Sequence, residues 1–339
     1  MKKTLSAILC IAVFLLMGCS SFSSFESRTF FAMNTFITVT SEKAETADEI
    51  AKLTEKYEKL FSKTIAESEI SRLNDIGFIE ASEDTAALLN KAADIANATD
   101  GAYNPCMGAV ASLWDITSGK NIVPASDAVE KALTLTSFSD LSVDGKSASL
   151  LRQGVQVDLG GIAKGYALGK AYEKAIETGE KNFCISFGGN VGVHGSSPSA
   201  VKGGKTGWNV GITNPFDKEK TAGVLKMDSG FISISGAYER FFEKDGKIYH
   251  HIFDSKTGYP SQSGIACACV ISDDAETGDA LSTALFVMGK DRATQFYRQQ
   301  KYDFEMILIL EDKSILVSDG LKDKFSLTDT DNFNIITLN

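Results

Sequence analysis

Three short stretches carry residues whose types and spacing could do chemistry. The first, VQVDLGGIAKGYALGKA (155–171), sets an acid, Asp158, just before a glycine bend and a lysine, Lys164, just after it. Glycines let backbone approach a ligand closely, and a helix starting at Ile162 would point free N–H groups toward an anion. The stretch is not a P-loop, because no Gly-Lys-Ser/Thr closes it. Nor is it the dinucleotide fingerprint, since Gly160, Gly161 and Gly165 do not fit G-x-G-x-x-G. Ordinary turn geometry would use the same glycines, as it would in SFGGNVGVHG and ISISGAYER, so the bend alone names no ligand.

The second stretch, ETGDALSTALF (276–286), puts Asp279 and Thr283 at i, i+4 on a predicted helix. Carboxylate and hydroxyl then share one face, with Ser282 on the adjacent edge. One carboxylate among neutral oxygens, completed by a carbonyl and substrate phosphates, suits Mg²⁺. A helix-start acid favoured by the macrodipole, with a core threonine, would leave the same pattern. In the third stretch, YHHIFDSKTGYP (249–260), His250 and His251 are adjacent, so on a strand only one enters a given site. His251 with Asp254 nearby would make a base held by a carboxylate, and a structural histidine is the alternative.

These residues need a scaffold, and the chain predicts a mixed one. TFFAMNTFITVTS (29–41) alternates and is β-branched, which predicts a strand. TADEIAKLTEKYEKLFSK follows, with Ile50, Leu53, Tyr57 and Leu60 at helical spacing. A second helix is expected over 84–101, capped by Asp84 and stopped by Gly101, and a short third over 126–135. LSVDGKSASLL (141–151) reads as a hairpin. The glycine bend joins an expected strand at 155–159 to a helix over 162–178 and a strand from 182. Beyond it the chain is mostly strand, with a hairpin around Asp245-Gly246, a helix over 277–300 and a last hairpin over 306–320. Helices and strands mix without regular βαβ alternation, so the class is α+β with a β-rich C-terminal half.

A formal net charge of −10 and the lack of a basic stripe argue against nucleic acid as a partner. Setting aside Cys10 and Cys19, the remaining Cys106, Cys184, Cys267 and Cys269 are too few and too unevenly spread for a disulfide scaffold. Cys267 and Cys269 sit at i, i+2 on one strand face and read as buried small hydrophobes, since a zinc pair would need two more soft ligands. The start, MKKTLSAILCIAVFLLMGCSS, has two lysines, an apolar run from Leu5 to Met17 and small residues around Cys19. That is a secretory signal over 1–18, too short and wrongly flanked for a stable span. LMGC is similar to a bacterial lipobox, which would make Cys19 the lipidated first residue, held on the extracytoplasmic face of a bacterial membrane by its acyl chains; a plain signal peptide cleaved near Ser20 is the alternative. Residues 19–28 would be a tether and 29–339 the functional domain.

Taken together, the segments resemble the ApbE family, the FAD:protein FMN transferases, over about residues 29 to 320. AMNTFITV is similar to the family's N-terminal Met-x-Thr strand, which implies Met33 against the flavin nucleotide. SEISRLN (68–74) is similar to the segment after the first helix. TDGAYNPCMGAVASLW is similar to the family's Gly-aromatic loop ending in Trp, with Ala102, Tyr103 and Asn104 at FAD-contacting positions. VDLGGIAKGYA is similar to the central signature, implying FAD contacts for Asp158 and Lys164 and a Gly161 carbonyl on Mg²⁺. YHHIFD makes His251 the candidate base and sets Phe253 against FAD, and DALSTALFVMG implies Asp279, Ser282 and Thr283 as metal ligands. Departures from the pattern fall at Asn104, Ile234-Ser235-Gly236 and Asp254-Ser255.

The resemblance implies an enzyme of the FAD:protein FMN transferase type. A threonine hydroxyl of a target flavoprotein would attack the FMN phosphorus of FAD with Mg²⁺ present, and AMP would leave. It implies membrane redox targets, such as quinone reductase or electron-transport subunits. Two alternatives share the residues: an FAD pyrophosphatase in which water replaces threonine, and a flavin-carrying lipoprotein without turnover.

Overall fold

Strands of the C-terminal half are apolar at consecutive positions, a pattern that needs cover on both faces. In the computed structural model, which describes residues 25–338, they form the middle of a nine-stranded sheet. The order is Glu26–Ala32, Thr35–Ser41, Phe183–Phe187, Asn190–His194, Ser229–Gly236, Ile265–Ser272, Glu305–Leu310, Ser314–Ser318 and Asn334–Leu338. Neighbours run antiparallel except the final pair, which is parallel. Met306, Leu308 and Leu310 point into a core shared with the helices Ala44–Phe61, Ala163–Glu177 and Ala275–Arg298. Ile307 and Ile309 point into a second core, under the three-stranded sheet Trp208–Asn214, Asp217–Met227 and Phe325–Leu327. The class is α+β, as the irregular order of elements predicts.

Cys267 and Cys269 fall on the second face, wholly buried, with their Sγ atoms 3.8 Å apart. They pack as small apolar side chains beside Trp208 and Ile307. On the helical face, Ala44–Phe61 buries Ile50, Thr54, Tyr57 and Phe61. Tyr166 stands edge-on to both Tyr57 and Phe61, with ring centroids 5.3 and 5.4 Å away. This aromatic contact seats the helix that follows the glycine bend against the first helix.

Several elements differ from expectation for local reasons. The stretch 29–41 is a hairpin, turning at Met33 and Asn34, whose φ values of 50° and 56° are the left-handed pair of a two-residue turn. Its first strand begins at Glu26, within the stretch read as tether. The segment from 182 is likewise a hairpin, Phe183–Phe187 with Asn190–His194. Residues 155–159 belong to no helix or strand. Val157 instead exchanges bonds with the Asn74 side-chain amide (2.7 and 2.9 Å), and the Asp158 N–H donates to the Pro105 carbonyl at 2.7 Å. The cap of the helix Glu83–Ala98 is Ser82, while Asp84 lies inside its first turn and accepts from Tyr166 Oη at 2.7 Å. The signal, the lipobox and Cys19 lie outside the described residues, among which no helix is long and apolar enough to cross a membrane.

Leu308 is wholly buried at the centre of the sheet, and Ile335, on the last strand, is 43% exposed. Urea unfolding should therefore show a loss of about 2–5 kcal/mol for Leu308→Ala and under about 0.5 kcal/mol for Ile335→Ala. Equal losses would contradict this layering.

Candidate active site

The chain leaves Leu159 through Gly160 and Gly161 and enters the helix Ala163–Glu177, while the long helix Ala275–Arg298 crosses beside it. First-turn N–H groups have no partner within their own helix. Here the Gly165 N–H donates to Asp279 Oδ2 at 2.8 Å. That bond needs the two helices in backbone contact, because a Cβ on Gly165 would fall 2.6 Å from Asp279 Cβ and 2.9 Å from Glu276 Cα. Thr283, one turn further on, is close to the bend, since a Cβ on Gly161 would sit 3.4 Å from Thr283 Oγ1. The same Cβ would meet the Tyr103 ring at 3.3 Å, so bend, hydroxyl and phenol are in contact. Two segments more than a hundred residues apart are thereby joined at one point.

They open onto a cavity of about 580 Å³. Met33 enters it from the hairpin turn, and Ala102, Tyr103 and Asn104 from the loop after Glu83–Ala98. Asp158, Gly161 and Lys164 line it from the bend, His251 and Phe253 from the segment after the strand Lys247–His250, and Asp279 and Thr283 from the long helix. Of the nominated residues that are described, Ser282 alone is off the wall. It is wholly buried, and its hydroxyl donates to the Asp279 carbonyl and lies 2.8 Å from Ser235 Oγ. Trp114 holds the histidine segment. Its indole N–H donates to the Gly258 carbonyl at 2.8 Å, and its ring packs against Tyr249, Phe253 and Tyr259.

His251 Nδ1 lies 3.3 Å from the Arg240 carbonyl. A carbonyl can only accept, so Nδ1 carries the proton and Nε2 keeps a free lone pair. Burial, with the Arg240 and Lys164 cations nearby, pushes the ring pKa down to about 3, so it is neutral at ordinary pH. The expected His251–Asp254 pair does not form. Asp254 instead closes the next turn, accepting the Lys256 N–H on Oδ1 at 2.8 Å. His250 faces the other way and is structural, with Nε2 2.9 Å from the Ser261 carbonyl and Nδ1 accepting the Ile252 N–H. Burial opposes ionisation of Asp158, yet Lys63 at 2.7 Å and the Gly160 N–H at 2.8 Å hold its carboxyl below the ordinary value.

Four charged cavity residues were not singled out from the sequence: Glu58, Lys63, Glu239 and Arg240. Glu58 accepts the Met33 N–H at 3.0 Å and so fixes the hairpin turn, whereas Arg240 donates to the Asn34 carbonyl at 2.9 Å. Lost hydration raises the Glu239 pKa, which Lys164 and Arg240 oppose and Asp279 reinforces. The one available signal for the last pair was their place directly after the glycine turn of ISISGAYER.

The donor set fits a hard cation. Among the described residues no three His, Cys, Asp or Glu side chains converge on a metal position; Asp158 is taken by Lys63 and the Gly160 N–H, and Asp279 with the Thr283 hydroxyl and the Gly161 main chain would offer one carboxylate plus neutral oxygens. That composition suits Mg²⁺, which keeps waters and shares substrate phosphates. Tyr103 Oη is buried with no hydrogen-bond partner, beside Gly161, which leaves a donor for a ligand at the same point.

The His251 assignment has a pH consequence. Below the ordinary 6.5 the unfolded chain takes up a proton that the folded ring refuses until about 3, so this group makes stability fall as pH drops through that window. His251→Gln should make the acid decline between those limits shallower in urea unfolding. In the parent protein, the His251 ring signal in proton NMR should not titrate near 6.5; a normal titration there would contradict the assignment.

Comparison with known proteins identifies the family. The model of the ApbE family matches residues 33–308. The FAD:protein FMN transferase of Treponema pallidum is 32% identical over 254 residues, covering 72% of this chain and 70% of that protein. The FAD:protein FMN transferase of Klebsiella pneumoniae is 29% identical over 290 residues, covering 84% and 88%. A crystal structure of the ApbE protein from Thermotoga maritima superposes with a TM-score of 0.81 at 32% identity, over 89% of this chain and 99% of that one. With the family model matching most of the chain and a relative 32% identical over 72% of it, this protein belongs to the ApbE family.

Proposed function

We propose that this chain transfers the FMN half of FAD to a threonine hydroxyl of a target protein in a magnesium-dependent step, releasing AMP. Relatives named FAD:protein FMN transferase support the transfer, and the observation that carries the reading is structural. Asp279, Thr283 and the Gly161 main chain share one cavity with a neutral His251 whose Nε2 lone pair is free. Carriage of flavin alone would require no such base.

Each residue then has a task. Lys164 and Arg240 offer cations to the pyrophosphate, and the Tyr103 hydroxyl supplies a buried donor. His251 Nε2 takes the threonine proton as the threonine oxygen bonds to the FMN-side phosphorus. The phosphorus–oxygen bond to the AMP phosphate breaks, and AMP departs with that electron pair. Burial is the largest cause of the depressed His251 pKa, and a bound pyrophosphate would offset the smaller part that the Arg240 and Lys164 cations add. Asp279, Thr283 and the Gly161 carbonyl would hold Mg²⁺, which when bound supplies charge neutralisation at the pyrophosphate. Ser282 would act from behind, fixing the turn that presents both ligands.

The proposal extends to place. A lipid on Cys19 would hold the enzyme on the extracytoplasmic face of a membrane, within reach of redox subunits such as those of quinone reductases. Incubation with FAD and Mg²⁺ tests the chemistry: AMP should appear with a threonine-bearing acceptor domain and not without it. Release in water alone would mean a pyrophosphatase. Asp279→Ala should lower Mg²⁺-dependent turnover at least about a hundredfold, the scale of several kcal/mol of charge stabilisation; unchanged turnover would remove the metal assignment. Cys19→Ala should move the protein from membrane to soluble fractions, and continued membrane partitioning would contradict the anchor.

A further inference from the structure

A second hollow of about 530 Å³, more open to solvent, adjoins the main cavity. It is lined by Asn34, Ile116, Thr117, Glu239, Arg240 and Phe241, and all of these except Phe241 also line the main cavity, so the two spaces are continuous. Arg240 links them chemically. Its guanidinium donates to the Asn34 carbonyl at the hollow, while its own carbonyl holds His251 Nδ1 in the main cavity.

The geometry points to this hollow as the docking site for an exposed segment of the acceptor protein, an inference that rests on the transferase reading above. A cavity of about 580 Å³ is already in the size range of small-ligand pockets, which bury most of their ligand, so the dinucleotide belongs there. The outer hollow is too open for that, and its lining includes an arginine and an aromatic, Arg240 and Phe241, the residue types enriched at protein interfaces. Phe241 is 41% exposed. On the neighbouring hairpin, Phe31 and Phe36 are 61% and 69% exposed and meet edge-to-face with centroids 5.4 Å apart. Phe31 also lines the main cavity, so this exposed pair lies at its rim. A chain segment laid over Phe241 and the Phe31–Phe36 pair would carry an inward-pointing hydroxyl past Arg240 toward His251. Continuity with the residue that holds the base argues for the acceptor over a second copy of this chain as the occupant.

The test uses the full chain and a flavin-free domain of a redox subunit whose native form carries FMN on threonine. Phe241→Glu and Phe36→Glu, both at exposed positions, should each raise KM for that domain about tenfold, the scale of one lost interfacial anchor. KM for FAD and FAD binding should stay as in the parent protein, which also shows that both variants fold. A photocrosslinker, as Phe241→p-benzoylphenylalanine, should capture the acceptor domain, and Ile335→p-benzoylphenylalanine, on the last strand, should not. Unchanged acceptor KM in both variants with transfer intact would overturn the docking site alone. Capture of a second copy of this chain through position 241 would overturn the assignment of the occupant. AMP release in water with no labelled acceptor would overturn the transferase reading, and the docking site with it.

Discussion

The Gly165 N–H to Asp279 Oδ2 bond is the contact on which the rest of the site depends. It exists only because Gly165 has no side chain. Any Cβ there would meet the Ala275 carbonyl as well as Asp279 itself. The contact settles where the long helix lies against the helix after the bend, and with it the distance between Thr283 and Gly161. The nine-stranded sheet and the aromatic packing of Tyr166 on Tyr57 and Phe61 hold the two helices from behind, so the carboxylate sits on a rigid wall.

Around that wall, three basic side chains face the cavity among four acids, Glu58, Asp158, Glu239 and Asp279, so the lining by itself holds no excess of positive charge. Lys63, Lys164 and Arg240 all face the cavity, and Lys63 is committed to Asp158 by an ion pair. The histidine is kept neutral by burial and by two of those cations, while its tautomer is set by a main-chain carbonyl, with no carboxylate involved. An uncharged base beside Lys164 and Arg240 is an arrangement that responds to a bound pyrophosphate, because the ligand's charge alters the base.

Much of this was legible in the sequence where chemistry follows periodicity. Asp279 and Thr283 share a face because a helix repeats every 3.6 residues, and they do so in the fold. Adjacent His250 and His251 had to diverge, and they do. What stayed hidden has physical reasons. The alternation of 29–41 passes through the Met33–Asn34 turn unbroken, because a two-residue turn in register preserves the period and no glycine marks it. The 155–159 segment looked like a strand, but its partner is the side chain of Asn74, which no local pattern reveals. Glu58, Lys63, Glu239 and Arg240 reach the cavity through tertiary packing alone, and Asp254 was misassigned because nearness in sequence to His251 did not become a contact.

The central claim is that the bend and the long helix grip one cation, and through it the dinucleotide, only when their backbones touch. Titration calorimetry of FAD into the parent protein and into Gly165→Ala, with and without Mg²⁺, tests this most directly, because the variant keeps every proposed ligand. The account predicts that Mg²⁺ tightens FAD at least about tenfold in the parent and has little effect in Gly165→Ala, while both bind FAD without it. A folded Gly165→Ala protein that retains the full Mg²⁺ enhancement would contradict it.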